Sequence, residues 1–138
     1  MAELLNTPEA VRLGLHAALL LAQRPGERWT ITRIARTLGV SAAHLAKILV
    51  RLEDTGLLKG KTGPAGGYTL ARPAKKITLL AVYQAVAGAL NLNRCPFAIP
   101  VCDGGCPLGN FLLKINRQLV RDLRETSLAA VKLNLEEK

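Results

Sequence analysis

Gly39 separates two runs of helical periodicity, and the second run leads straight into a glycine-rich reversal, an order that few folds accommodate. Thr30 or Thr32 can cap a short helix ending at Leu38, because a hydroxyl oxygen accepts a backbone N–H of the first turn. Gly39 stands where a left-handed residue terminates a helix. Val40 and Ser41 then open a helix over residues 42–55, with Leu45, Ile48, Leu49 and Leu52 on one face and His44, Lys47 and Arg51 on another. Gly56 stops it. Leu57 to Lys61 and Tyr68 to Leu70 read as short strands joined by Thr62, Gly63, Pro64, Ala65, Gly66 and Gly67. A short helix, a glycine turn and a helix with a basic outer stripe form the helix-turn-helix pattern, in which the second helix enters the major groove. The glycine-rich hairpin behind it, flanked by Lys59, Lys61 and Arg72, has the composition of a wing that brings backbone and cations close to a sugar-phosphate edge.

Around this unit the chain reads as helical. Thr7, Pro8 and Glu9 supply a hydroxyl cap, a proline at the first helical position and an acid at the positive end of a helix running to Ala22. Thr78 caps a fourth helix that ends near Gly88, and Pro107 opens a long fifth one. Leu108, Phe111, Leu112, Ile115, Leu119 and Leu123 make a stripe on that last helix, suited to pairing with a second copy or to folding back on the same domain. The expected fold class is mainly α: a winged helix-turn-helix with a two-stranded wing and a long C-terminal dimerisation helix. The expected division is a DNA-binding domain over residues 1–88, a cysteine-bearing sensor loop over 89–107, and the dimerisation helix and tail over 108–138.

The formal charge is +9, and residues 1–80 hold twelve Lys/Arg against five Asp/Glu, so the excess sits on the expected reading unit rather than on the remainder of the chain. Such a balance fits a polyanion, since cations near phosphates release condensed counterions. Within the helix-turn-helix, Ser41 can donate to a phosphate or cap its own helix, His44 can reach a base edge, and Lys47 and Arg51 line the outward face, where a solvated stripe is the bland alternative. Arg33, with Arg36, is expected to hold the DNA backbone, and Lys59 and Lys61 to serve the wing. Gly60-Lys61-Thr62 resembles the end of a nucleotide-binding loop, but Gly56 is one position too close and no helix pattern follows. No acid pair or Ser/His/Asp set emerges either, so catalysis is not expected. No run reaches the roughly 20 apolar residues of a bilayer span and no secretion signal opens the chain, which leads to the expectation of a cytoplasmic protein without membrane contact.

Cys95, Cys102 and Cys106 are the chain's three cysteines, set among Pro96, Pro100, Gly104, Gly105 and Pro107. In a reducing compartment, clustered thiols serve as metal ligands or redox groups more often than as a disulfide framework, and an odd number leaves one unpaired. Three thiolates can hold an iron–sulfur cluster if a fourth group closes the shell. Zinc with His16 as fourth ligand, a metal-free thiol switch, and an inert loop are the alternatives.

Several segments together resemble one family: Leu21-Ala22, Gly39-Val40-Ser41 with Leu45-Ala46-Lys47, Gly56-Leu57-Leu58, Gly63-Pro64-Ala65-Gly66-Gly67-Tyr68 with Leu70-Ala71-Arg72, and Ile77-Thr78-Leu79-Leu80. The chain is similar to the Rrf-two-type bacterial transcription regulators, the IscR/NsrR-like group. The resemblance implies a dimeric winged helix-turn-helix regulator, a repressor, binding a two-fold double-stranded DNA operator as a homodimer. It also implies an iron–sulfur cluster, 2Fe-2S or 4Fe-4S, on Cys95, Cys102 and Cys106, sensing cluster, redox or nitrosative state. Two departures stand out. The cysteine gaps hold six and three residues, less even than in cluster-bearing relatives, and Arg12 falls where relatives place a fourth ligand, with Glu9 and His16 one turn to either side. A cluster-free regulator, or a protein-interaction module that keeps the fold, would fit the same segments.

Overall fold

The structure is a computed structural model that describes residues 7–90, 92, 102 and 105–134. Its elements follow the order α1 (Glu9–Gln23), α2 (Ile31–Leu38), α3 (Ala42–Asp54), β1 (Leu58–Lys61), β2 (Gly67–Leu70), α4 (Leu79–Ala87) and α5 (Pro107–Glu125). Single 3-10 turns at Ala74–Lys76 and Leu128–Ala130 flank the last two helices. The predominance of helix and the two-stranded antiparallel sheet agree with the fold class read from the sequence.

The helix starts show why these residues form these elements. Thr30 Oγ1 accepts from the Arg33 amide, Ser41 Oγ from His44 and Thr78 Oγ1 from Ala81, each at 3.1 Å. Each bond satisfies an amide that no intrahelical carbonyl can reach, and the first of them decides between Thr30 and Thr32. Gly39 takes a left-handed conformation at φ 69° and turns α2 into α3. The start of α1 differs from expectation. Pro8 is extended at ψ 140° and is itself the cap residue, with its carbonyl accepting from Val11 and Arg12 at 3.0 and 3.1 Å. The helix therefore begins at Glu9, and the Thr7 hydroxyl makes no cap.

The core is a three-helix arrangement of α1, α3 and α4, with α2 and the strands closing one side. α1 is apolar on most of its circumference, burying Val11, Leu13, Ala17, Ala18, Leu19, Leu20 and Leu21, because it meets α4, α3, α2 and the C-terminal segment at once. α3 contributes the one face foreseen for it, Leu45, Ile48, Leu49 and Leu52. β1 and β2 pair with Leu58 opposite Leu70 and Lys61 opposite Gly67. Trp29 adds a single residue to the free edge of β2, exchanging two hydrogen bonds of 3.0 and 2.8 Å with Tyr68.

The segment after α5 was expected to be a tail of the dimerisation unit, yet it is laced onto the winged domain. The Leu79 amide donates to the Thr126 carbonyl and the Leu128 amide to the Ile77 carbonyl, both at 2.9 Å, while Gln23 Nε2 donates to Val131. Leu128 is 0% exposed. Residues 126–133 thus share the core of residues 7–88, and α5 touches this body along α4. α5 buries no residue completely. Leu113, Asn116, Val120 and Leu123 recur at helical spacing and are half-buried, whereas Leu108, Phe111, Leu112, Ile115 and Leu119 are exposed, Phe111 at 67%. Of the expected stripe only Leu123 turns toward the fold.

Truncating Leu128 to alanine removes a fully enclosed side chain and should cost about 2–5 kcal/mol of folding free energy. Urea unfolding followed by circular dichroism measures this; a loss under about 0.5 kcal/mol, the size of an ordinary surface change, would show that the segment is not part of the core.

Candidate functional site

The candidate surface is built from three elements: α3, the β1–β2 wing that follows it, and the corner that connects α1 to α2 and is bonded to the wing. On α3, Ser41, Ala42, Ala43, His44 and Lys47 are all exposed. Ser41 uses its hydroxyl as a cap, which fixes the first turn and with it the direction of the His44 side chain. Small Ala42 and Ala43 leave room for close approach to a surface. Arg51 is exposed as well, but Nη1 donates to the Val86 carbonyl at 2.9 Å, in the last turn of α4, where a guanidinium answers the negative helix end. The stripe His44, Lys47, Arg51 is therefore divided, with its third member tied into the fold.

Arg33 is held by two partners. Its Nη1 lies 2.6 Å from Glu27 Oε1, and its guanidinium stacks 3.7 Å from the centroid of the Trp29 ring. Glu27 also takes Arg24 at 3.7 Å. A guanidinium held by a carboxylate and an aromatic face is a strut, since both interactions would be lost if it swung toward a phosphate. The hydrogen bond from Arg33 is the main cause that holds the Glu27 carboxyl below its ordinary range; burial opposes it, and the charges of Arg33 and Arg24 add to the lowering.

The wing is fastened from behind. Gly67, at φ 132°, passes so close to the corner that a Cβ there would sit 2.8 Å from the Trp29 carbonyl oxygen. That position admits glycine alone. The turn is closed by the Gly66 amide donating to Gly63 at 2.8 Å, and Arg28 Nη1 donates to the Ala65 carbonyl at 3.1 Å. Lys59 and Lys61 alternate onto one face of β1 and are exposed. Between wing, α2 and the end of α3 lies an open cleft of about 410 Å³, lined in part by Glu53, Lys61 and Tyr68. Burial, with the Glu53 carboxylate as a lesser cause, raises the Tyr68 phenol above its usual value and keeps it neutral.

Sequence reasoning missed the corner altogether. The signal was present in the chain's lone tryptophan, standing two residues after one acid and four before an arginine. Pairing across such spacings is invisible until the turn between α1 and α2 is known.

Of the three cysteines, Cys102 is exposed and Cys106 is half-buried, while Cys95 lies outside the described residues. Cys106 is the cap residue of α5, its Sγ accepting from the Gly109 amide at 3.2 Å. Glu9, Arg12 and His16 are exposed on α1, with His16 Nδ1 2.7 Å from the Arg12 carbonyl oxygen. Among the described residues no three His, Cys, Asp or Glu side chains gather as a metal site. The donor chemistry nevertheless suits a soft metal: accessible sulfurs, one of them already receiving a backbone N–H of the kind that tunes ligating thiolates.

Residues 7–133 match the family described as Rrf2, iron-dependent transcriptional regulator. The chain belongs to the Rrf2 family. It is 35% identical over 74 residues to the HTH-type transcriptional regulator IscR of Cereibacter sphaeroides, covering 53% of this chain and 48% of that one. The IscR of Klebsiella pneumoniae is 34% identical over 92 residues, 67% of this chain and 52% of the relative. The matches thus span about half the length of these curated relatives. Among solved structures, the IscR of T. potens superimposes with a TM-score of 0.72 at 26% identity, over 91% of this chain and 85% of that one. CymR of B. subtilis, titled the global cysteine regulator, gives 0.76 at 24% identity over 92% and 95%, a likeness of fold. The description of the family is that of a transcriptional regulator. No helix among the described residues is long and apolar enough to cross a membrane.

The Rrf2-family corner gives a titration with a defined sign. Because Glu27 is held below its ordinary value of 4.5, the stabilisation by this pair is complete above that value and is lost as pH falls through the lower folded-state value. Carboxyl NMR should find the Glu27 midpoint below 4.5, and Arg33→Ala should return it toward 4.5. An unmoved midpoint would break the assignment of Arg33 as the cause.

Proposed function

We propose that this regulator reads a two-fold operator as a homodimer, with α3 in the major groove and the wing against the neighbouring backbone. The observation that carries the reading is that Ser41, His44 and Lys47 are exposed on a helix whose opposite face is fully committed to the core, and that this helix leads through one turn into the wing strand bearing the exposed Lys59 and Lys61. In this reading His44 reaches a base edge, Ser41 lies at the phosphates flanking the first turn, and Lys47, Lys59 and Lys61 neutralise phosphates. Arg33 and Arg51 act through the fold, holding the corner and α4. The exposed face Leu108, Phe111, Leu112, Ile115 and Leu119 supports association of two copies through α5, since an apolar face of that length is costly to leave in water.

Cys95, Cys102 and Cys106 would hold an iron–sulfur cluster, with Glu9 or His16 as candidate fourth ligand. Such a group supplies a centre whose loss or oxidation changes the bonding of its thiolates. Cys106 makes that change mechanically useful. Its sulfur caps α5, so altering what the sulfur binds alters the first turn of the helix carrying the dimer face. Thiol chemistry without metal is the second reading, favoured by the exposure of Cys102 and the helix-terminal place of Cys106.

Two substitutions test the DNA reading. Lys61→Ala should weaken binding alike on operator and mixed-sequence duplex, whereas His44→Ala should alter sequence preference by about 1–3 kcal/mol at one base pair of each half-site. Competition binding against a set of singly changed duplexes reads both; equal behaviour of the two variants would contradict the assignment. For the sensor, protein purified without oxygen should show visible absorbance with stoichiometric iron, lost in Cys102→Ser and Cys106→Ser. An iron-free chain that resists reconstitution would leave the thiol switch as the working reading.

A further inference from the structure

The tip of the wing carries no charge of its own. Residues 62–67 are Thr, Gly, Pro, Ala, Gly and Gly, small enough to approach a duplex closely yet without a cation to hold it, and Lys59 and Lys61 stand behind the turn on β1. A cation nevertheless reaches the tip from elsewhere in the fold. Three arginines cluster at the corner between α1 and α2, and the Glu27 carboxylate takes two of them, Arg24 at 3.7 Å and Arg33 at 2.6 Å. Arg28 is the third. It has no carboxylate partner among the described residues and instead spans to the wing, donating from Nη1 to the Ala65 carbonyl at 3.1 Å. That bond uses one of the five N–H donors of a guanidinium, and the side chain is exposed.

We propose that Arg28 is a DNA-contacting residue of the wing, supplied from the α1–α2 corner and aimed by the Ala65 carbonyl. The ligand is the sugar-phosphate edge of the groove that the wing enters, and the proposal rests on the DNA reading of α3 and the wing given above. Two physical points carry it. A flexible arginine loses rotamer freedom on binding, and one already anchored at its tip loses less. A guanidinium is planar, weakly hydrated and forked, and so keeps one edge on the Ala65 carbonyl while another meets a phosphate or the floor of a narrow groove, where a lysine offers only a point charge. The charge that the turn sequence lacks is thereby placed at the one part of the wing small enough to insert.

The test is the salt dependence of binding to a fluorescein-labelled duplex of mixed sequence, followed by anisotropy, for the unmodified chain, Arg28→Ala and Arg28→Lys. If Arg28 meets a phosphate, Arg28→Ala loses about one unit from the slope of log K against log salt and binds roughly eightfold more weakly at ~0.1 M salt. Arg28→Lys should recover the slope. Emission from Trp29, the only tryptophan, reports whether the corner is intact in each variant. An unchanged slope in Arg28→Ala, with or without lost affinity, overturns the proposal and leaves Arg28 as an internal strut. An unmodified chain that shows no salt-dependent binding overturns the DNA reading itself, and the proposal with it.

Discussion

The wing and the start of α2 hang from Trp29. Its backbone pairs with Tyr68 and so fixes β2, its ring lies under the Arg33 guanidinium, and the next residue caps α2. At 2% exposure the side chain removes roughly 150–250 Å² from water, worth up to about 4–6 kcal/mol by area. That is a large share of the roughly 5–15 kcal/mol by which domains are stable. The indole N–H is buried without a partner among the described residues, so the ring is retained against a polar cost of about 1–3 kcal/mol. Burial and the cation above the ring offset that cost. Neither Gly67 nor Arg33 is free to vary while this ring stays where it is: the first leaves space for the Trp29 carbonyl and the second covers the ring.

The same economy of contacts joins the two ends of the molecule. From Cys106, which caps α5, the chain runs down that helix to Thr126, whose carbonyl accepts the Leu79 amide at the start of α4. The other end of α4 offers the Val86 carbonyl to Arg51 on α3. Cys106 and α3 are thus connected by two helices and two hydrogen bonds, with Leu128 buried at the first junction. Rigid elements in series transmit a rotation instead of absorbing it, provided that the loop has two arrangements to choose between. The thiols are where such a choice would be made.

Much of this was legible in the order of residues. The caps at Thr30, Ser41 and Thr78, the glycine turn at Gly39 and the two strands of the wing follow from local chemistry, in which a hydroxyl, a glycine or an alternating run acts within four residues of itself. What escaped was long-range. The return of residues 126–133 to the core depends on where α5 points. The bonds from Arg28 to Ala65 and from Arg51 to Val86 join positions 37 and 35 apart. α5 shows both sides of this division. Its apolar spacing announced a helix with something to bury, and periodicity alone could not tell that Leu113, Val120 and Leu123 serve the chain itself while Phe111 and Ile115 are left for another surface.

Charge was the least transparent quantity of all. Nineteen Lys and Arg against ten acids announce a polyanionic partner, and the family assignment agrees, but the sum does not say which cations are available to it. Arg33 is engaged by Glu27 and Trp29, and Arg51 by the Val86 carbonyl of α4, so both cations are tied into the scaffold. Arg28 shows the converse, an arginine outside every motif brought by the fold to the tip of the wing. A guanidinium can be strut and ligand in equal measure because its donors point in several directions at once, and a lysine cannot. The lysines of α3 and β1, long, exposed and solvated, are therefore the part of the basic charge that sequence alone assigns to DNA with least ambiguity. The arginines acquire their meaning only from the carbonyls and rings around them.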